Sequence, residues 1–336
     1  MLKIMKEEIK EKILNLCNLC GKCVPVCPSY KVYKKESFSP RGRLFLLSHE
    51  IEHKSFEFCL FCERCERICP HHIGFPTFYL EKLKEKENPL LTFLNLNNFI
   101  NLINLKKELP TKIMKEEGDI TIYYSCGLKY LYPSALERFE EILKKRGISI
   151  GVPKGLVCCG AIFLNLGLIS NLKENALKNL EILEKTKGYL IIFCATCLWM
   201  FKKIYPQVFK DTKYEKGFIE LSKRAISAYN YLSLKAEDEL KILEEKKLRE
   251  NILFHLPCHL TEDFNLVKNK IETRDFCCGS AKFFLWLKGF QKENKGLWVK
   301  NLENIEILAT FCTGCYLNFN ALLKKPPLIL HWLELL

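Results

Sequence analysis

The chain has 336 residues, 48% of them hydrophobic, with 18 cysteines and a formal charge of +13. That length supplies apolar cores for two or three domains and excludes a small disulfide-stapled scaffold. The positive balance is not the footprint of nucleic-acid binding, because lysine outnumbers arginine 43 to 9 and is interleaved with glutamate (EKLKEKE, EEKKLRE), the texture of solvated helix faces.

The opening segment, MLKIMKEEIKEK, carries no apolar run followed by a small-residue cleavage site, so the thiols are read as reduced and free to act as ligands. Apolar positions over Met5 to Leu16 recur at helical spacing and lead into a first cysteine run. Between it and a second run lies Ser29 to Phe58, in which Arg43 to His53 reads as helix after Pro40-Arg41-Gly42. Residues 71 to 118 continue with a short helix, Phe78 to Lys86, and an Asn/Leu-rich stretch. The charged segment Glu108 to Asp119, with Pro110, marks a domain boundary.

Beyond Asp119 strands alternate with helices. Ile120 to Tyr124 reads as a strand ending at Cys126, followed by a helix that begins near Ser134 and stops at Gly147. A second strand-like piece reaches Cys158-Cys159-Gly160, a helical stretch runs to about Lys187, and Tyr189 to Phe193 is a buried strand ending at Cys194. The order then repeats: Asn251 to His255 ends near Cys258, Cys277-Cys278-Gly279 leads into a helix, and Ile305 to Phe311 ends at Cys312. Such alternation predicts parallel sheets with functional groups at the carboxyl ends of the strands. The expected class is α+β multidomain, with a helical domain over 1–110 and two α/β units over 119–245 and 246–336, the second one shortened. Leu190 to Phe201, a long apolar run, falls short of the roughly 20 residues of a membrane span.

The first cysteine run is Cys17, Cys20, Cys23, Cys27-Pro28 and the second is Cys59, Cys62, Cys65, Cys69-Pro70. Each is C-x2-C-x2-C-x3-C-P, in which three thiolates wrap one iron–sulfur cube and the fourth cysteine ligates the other. The spacing therefore assigns Cys17, Cys20, Cys23 and Cys69 to one [4Fe–4S] cluster, and Cys59, Cys62, Cys65 and Cys27 to a second. Zinc accepts the same C-x2-C pairs, and two complete copies with trailing prolines favour iron. His71-His72, directly after the second run, is read as shielding a cluster.

The other ten cysteines form two copies of one pattern: Cys126, Cys158, Cys159, Cys194, Cys197, then Cys258, Cys277, Cys278, Cys312, Cys315. This pattern resembles the cysteine-rich CCG domain family, seen in the glycolate oxidase iron–sulfur subunit, heterodisulfide reductase subunits of the D type, lactate-utilisation proteins and the anchor subunit of anaerobic glycerol-3-phosphate dehydrogenase. Ser39-Pro-Arg-Gly-Arg43 and Pro257-Cys258-His259 also look like that family. The resemblance implies a helical two-cluster ferredoxin domain in front and one non-cubane [4Fe–4S] centre per quintet, with zinc or empty thiol sites as the alternative. A Cys-Cys pair followed by a permissive glycine suits an asymmetric cluster. The second copy departs from the first, with 18 residues between Cys258 and Cys277 against 31 between Cys126 and Cys158. His259 is read first as a packed histidine, and Phe283 to Phe290 as a buried helix before a quinone-facing one.

No G-x-G-x-x-G turn, P-loop or nucleophile elbow is present, so hydride chemistry belongs to a partner and no catalytic residue is assigned. The resemblance implies an iron–sulfur subunit of a flavin-dependent glycolate- or lactate-type dehydrogenase, cytoplasmic or peripheral on the inner face of a membrane. Electrons would pass from a flavoprotein subunit to a quinone or other acceptor. The alternatives are a heterodisulfide-reductase-like subunit that cleaves a disulfide, and a structural module binding zinc.

Overall fold

A computed structural model of the chain describes residues 2–85, 115–249, 251–260, 273–274, 276–281, 302, 304–323 and 326–336. The described residues fall into two units, one built on 2–85 and the other on 115–280 and 302–336. The Asn/Leu-rich stretch, residues 108–114 of the boundary expected over Glu108 to Asp119, and the segment Phe283 to Phe290 lie outside the described residues.

The first unit is helical. α1 (Leu2–Leu16) ends at Cys17, whose N–H still bonds to the Ile13 carbonyl at 2.9 Å. α2 (Pro28–Tyr33) follows Cys27. α3 (Pro40–Ser48) starts three residues before the expected Arg43 and stops five before His53. Pro40 supplies the preset φ of a first helical residue, and the Ser39 hydroxyl caps the turn by accepting from the Gly42 N–H at 3.0 Å. α4 (Arg64–Ile68) lies inside the second cysteine run, and α5 (Phe75–Glu85) begins ahead of the expected Phe78. Phe75 stacks on Tyr79 at 5.1 Å and meets Phe56 at 5.2 Å, and with Phe61 these buried rings form the apolar floor under the second run.

The second unit holds two four-stranded sheets. Strands β1 (Ile120–Ile122), β2 (Ile150–Gly151), β3 (Leu190–Ile192) and β4 (Ala225–Ser227) pair in the order β2-β1-β3-β4, all parallel. Strands β5 (Ile252–His255), β6 (Thr273–Arg274), β7 (Ile307–Thr310) and β8 (Leu328–His331) repeat that order as β6-β5-β7-β8, again all parallel. β1, β3 and β5 are buried along their whole length, as parallel strands covered on both faces must be.

Two short helices carry the chain on from the strands: α6 (Cys126–Tyr130) after β1, and then α7 (Ser134–Lys144). α7 buries Ala135, Leu136, Phe139, Ile142 and Leu143, one stripe at i, i+1, i+4, i+7 and i+8, each large side chain contributing about 1.5–3 kcal/mol by leaving water. The helix expected to reach Lys187 is two, α8 (Ala161–Leu166) and α9 (Ile169–Leu183), broken where Gly167 takes φ +75°. After β3, α10 (Ala195–Trp199) runs through a π-helical turn (Met200–Ile204) into α11 (Tyr205–Val208). After β7 comes α12 (Thr313–Leu322).

In each sheet the two central strands are the pair where the chain direction of the crossovers reverses, and Cys126, Cys194, Cys258 and Cys312 follow those strands. A parallel sheet with this order opens a crevice at that point, outside the carboxyl ends of its strands. No helix among the described residues is long and apolar enough to cross a membrane.

Candidate iron–sulfur and thiol sites

Two cysteine loops of the first unit share one backbone conformation. Leu19 and Gly21 flank Cys20 with φ +55° and +80°, and Phe61 and Glu63 flank Cys62 with φ +51° and +54°. Two left-handed residues around the middle cysteine coil the chain so that successive thiols turn inward. Gly21 adopts this conformation without steric cost, whereas Leu19, Phe61 and Glu63 each carry strain of the order of 1 kcal/mol that the surrounding structure must hold.

The loops border two cavities. Cys17, Cys20, Cys23 and Cys69 line the first, together with Cys65 and His71. Cys27, Cys59, Cys62 and Cys65 line the second. Three thiols of one run thus meet the last thiol of the other, twice. The first set is open to solvent, with Cys20 exposed and Cys17, Cys23 and Cys69 half-buried, while all four of the second set are buried.

Burial pushes the Cys23 thiol up to about 11, against a weaker backbone hydrogen bond from Arg41. It pushes Cys59 up to about 12, opposed chiefly by the charge of Arg43. Cys65 is raised well above the ordinary thiol range by burial and by its sulfur neighbours. These thiols need a metal centre's positive charge to ionise, and a soft donor set of at least four thiols at each cavity fits a [4Fe–4S] cube.

Thiols of each quintet in the second unit come into contact. In the first, the Sγ atoms of Cys159 and Cys197 are 3.4 Å apart. Interactions with Cys126 and Cys159 drive Cys158 well below the usual thiol range, and those with Cys197 and Cys312 do the same to Cys194. In the second, Cys278 and Cys315 are 3.0 Å apart, and Cys278 is lowered to about 7, first by that contact and then by Ser280. Each quintet therefore contains a thiol biased toward the anion, the form that binds metal.

The two quintets also meet. Cys194 and Cys312 lie 4.0 Å apart, the Thr313 N–H donates to Cys194 Sγ at 3.3 Å, and the Thr196 hydroxyl lies 3.1 Å from Cys312 Sγ. Backbone joins the same strand ends, with the Ala195 N–H donating to the Phe311 carbonyl at 2.8 Å. His259, beside Cys258, stacks flat on Trp199 at 4.1 Å and bonds Thr196 at 3.0 Å, so it is packed, as expected, but against the other repeat. Cys258 and Cys277 stand half-buried at the end of β5 and before Cys278.

Both Cys-Cys turns are pinned from the first strand of their repeat. The Tyr123 hydroxyl donates to the Val157 carbonyl at 2.6 Å, one residue before Cys158. His255 Nε2 makes the equivalent bond to the Phe276 carbonyl at 2.9 Å, one residue before Cys277. The next carbonyls are also held, that of Cys159 by the Tyr205 hydroxyl at 2.7 Å and that of Cys278 by the Asn318 amide. Tyr205 reaches Cys159 from beyond the π-helical turn, whose extra residue per turn changes which side chains face back toward the strand ends. Sequence reading missed Thr196, Thr313 and Tyr132, and it named Arg43 only as part of Ser39-Pro-Arg-Gly-Arg43, with no place at a cavity. Thr196 and Thr313 sit within C-x2-C pairs, which is a usable signal; nothing local marks Tyr132. Among the described residues no group of three or more His, Cys, Asp or Glu side chains closes around a single ion.

Residues 16–73 match the family model of the 4Fe-4S dicluster domain, and residues 120–202 and 263–320 match that of the cysteine-rich domain. The chain is 25% identical over 242 residues to a subunit of the fumarate reductase (CoM/CoB) of Methanothermobacter marburgensis, covering 65% of this chain and 45% of that protein. It is 24% identical over 194 residues to a subunit of the anaerobic glycerol-3-phosphate dehydrogenase of Escherichia coli, covering 53% and 46%. It is 22% identical over 239 residues to lactate utilization protein A 2 of Bacillus cereus, covering 65% of this chain and 97% of that one. The chain thus spans less than half the length of the first two relatives and nearly all of the third.

Proposed function

The chain belongs to the family of iron–sulfur proteins with the cysteine-rich CCG domain, and from that premise we propose that it is the electron-transfer subunit of a flavin-dependent dehydrogenase acting on a 2-hydroxy acid of the glycolate or lactate type. One observation carries the reading: two neighbouring cavities, each lined by thiols of both cysteine runs, with Cys17, Cys20, Cys23 and Cys69 reaching solvent and Cys27, Cys59, Cys62 and Cys65 buried. Iron–sulfur cubes held there would pass single electrons. The chain's own contribution is to hold Cys17, Cys20, Cys23 and Cys69 at the open cavity, within reach of a donor, and to keep water from Cys27, Cys59, Cys62 and Cys65. Hydride abstraction would belong to a flavoprotein partner, and a quinone or other acceptor would take the electrons onward. The proposed limits of the three modules are 1–110, 119–245 and 246–336. A relative that this chain covers almost end to end is named for lactate utilization, which supports the substrate class.

The test is to purify the chain anaerobically, alone and with its flavoprotein partner, and to measure iron, sulfide and glycolate or lactate oxidation. The reading expects about eight irons in cubanes, at about four per cluster, and oxidation only in the presence of the flavoprotein. Oxidation by the chain alone would overturn it.

A second reading is favoured by the contact of Cys194 with Cys312. Two quintets sharing one boundary would suit a disulfide cleaved at their junction, RSSR′ taking up two electrons and two protons to give two thiols. A disulfide-reductase assay with a low-potential donor separates the two readings.

A further inference from the structure

Arg43 is the one arginine among the largest fully buried side chains, with 1% of its surface exposed. It lines the cavity of Cys27, Cys59, Cys62 and Cys65. Its Nε donates to the Ser55 carbonyl at 2.8 Å, its Nη1 lies 3.8 Å from Cys27 Sγ, and its guanidinium stands 5.5 Å from the centre of the Phe75 ring. Its Nη2 is buried without a hydrogen-bond partner. Among the described residues this cation meets a carbonyl, a thiol and a ring face, none of them a carboxylate. A cation taken out of water costs several kcal/mol unless an anion compensates it.

The arginine at the other cavity is different. Arg41 is bound to Glu36 at 2.7 Å, and both side chains reach solvent, 35% and 51% exposed. Its charge is neutralised by the carboxylate and screened by water. One cavity therefore meets a screened ion pair, and the other, which Arg64 also lines, meets the buried guanidinium of Arg43 in a medium of low dielectric, where Coulomb interactions are strongest.

We propose that Arg43 raises the reduction potential of the cluster held by Cys27, Cys59, Cys62 and Cys65 and leaves the other cluster's potential unchanged. Reduction adds one negative charge to a centre whose thiolates already carry several. A fixed cation against one of those thiolates stabilises the reduced form more than the oxidised form. The buried Nη2 and the lack of a carboxylate beside it are what such a role requires, since a paired arginine would present no net charge to the cluster. The inference rests on the crossed ligand sets proposed above, and it names a residue that acts through the cluster's environment without ligating it.

The experiment is an anaerobic potentiometric titration of the full chain, read by electron paramagnetic resonance, on the wild type and on Arg43→Gln and Arg43→Lys. Cys62→Ser identifies which signal belongs to the second cluster. Arg43→Gln is expected to lower the ratio of reduced to oxidised second cluster at least tenfold at fixed potential, about 59 mV for one electron, with the first cluster unmoved. Arg43→Lys, which keeps a cation, is expected to stay near the wild-type value. Unmoved or equally moved midpoints in Arg43→Gln overturn the inference. If Arg43→Gln loses the second cluster, Arg43→Lys decides: both clusters at wild-type midpoints support the inference, and a lost cluster or a lowered midpoint overturns it. A wild-type chain lacking a cubane at the second site overturns the ligand reading and this inference together, whereas two cubanes with Arg43→Gln unmoved overturn this inference alone.

Discussion

The thiols of Cys194 and Cys312, 118 residues apart in sequence, stand 4.0 Å from one another where the carboxyl ends of β3 and β7 meet. Each follows one of the two central strands of its own sheet, and each touches the other repeat through a threonine: Thr196 reaches Cys312, and the Thr313 N–H reaches Cys194. The duplicated units are therefore in contact through one buried thiol of each quintet.

That contact predicts coupling between the quintets. Cys194→Ala is expected to alter metal loading at Cys258, Cys277, Cys278, Cys312 and Cys315 as well as at its own quintet, and Cys312→Ala to do the reverse. Iron content and paramagnetic spectra of the two single variants and the double variant check this. Effects of residues in contact are non-additive by about 0.5–3 kcal/mol, so the double variant should lose less than the sum of the singles. Strict additivity would mean that the quintets act independently.

The turn before α3 gives a prediction about the first unit. A Cβ on Gly42 would collide with the Glu36 carbonyl, in a backbone segment already fixed by the Ser39 cap and by the bond from Arg41 to Glu36. Backbone cannot yield as the end of a flexible side chain can, so Gly42→Ala should destabilise the first unit by about 1–3 kcal/mol. The same segment carries Arg41 and Arg43 to the two cavities. Faster loss of the cluster absorbance on heating, with the second unit's melting unchanged, is the expected result. A variant indistinguishable from wild type would show that this turn is not what sets the cavities.

Much of this arrangement is legible in the sequence, and the exceptions have physical causes. The two cysteine runs are legible because their spacing is a property of one short loop and needs no tertiary information, and thiols of both runs line each cavity. β1, β3, β5 and β7 are apolar runs halted by cysteine and read correctly as strands. β4 (AIS) and β8 (LILH) escape notice; both are edge strands, paired on one side to β3 and β7. α3 begins at Pro40 because capping and a proline at the first turn outweigh the apolar spacing that suggested Arg43. The burial of Arg43 and the meeting of Cys194 with Cys312 could not be read at all. The first runs against the ordinary exposure of arginine, and the second depends on how two sheets pack.

His331 predicts a pH dependence. It is fully buried, stacks on Tyr132 at 4.5 Å and bonds the Phe193 carbonyl through Nε2 at 3.1 Å. Burial lowers its pKa to about 4 from an ordinary 6.5, so the folded chain keeps it neutral where the unfolded chain takes up a proton. The unfolded state then binds more protons between pH 6.5 and 4, and stability falls as pH drops through that window by about 1.4 kcal/mol per unit. Denaturant midpoints of the second unit at pH 7.5 and 5.0 should differ more for the wild type than for His331→Gln. Equal differences would mean that the imidazole does not titrate on unfolding in this range.

The last prediction concerns Gly127, the residue after Cys126. A Cβ there would clash with the Tyr132 hydroxyl and with Thr313 Oγ1, the two groups that share a 2.5 Å hydrogen bond between the repeats. Tyr132 is fully buried and stacked on His331, so it cannot swing away, and the displaced partner must be Thr313. Thr313 donates its N–H to Cys194, so Gly127→Ala should weaken that bond and raise the Cys194 thiol toward its ordinary range. Thiol alkylation of the metal-free chain at pH 7 reads this directly as slower labelling of Cys194, identified by peptide mapping. Gly127→Ala combined with Thr313→Ala, which removes the clashing hydroxyl, should recover much of the rate. Failure of the double variant to recover would locate the effect in the turn after β1 and not in the bridge between the repeats.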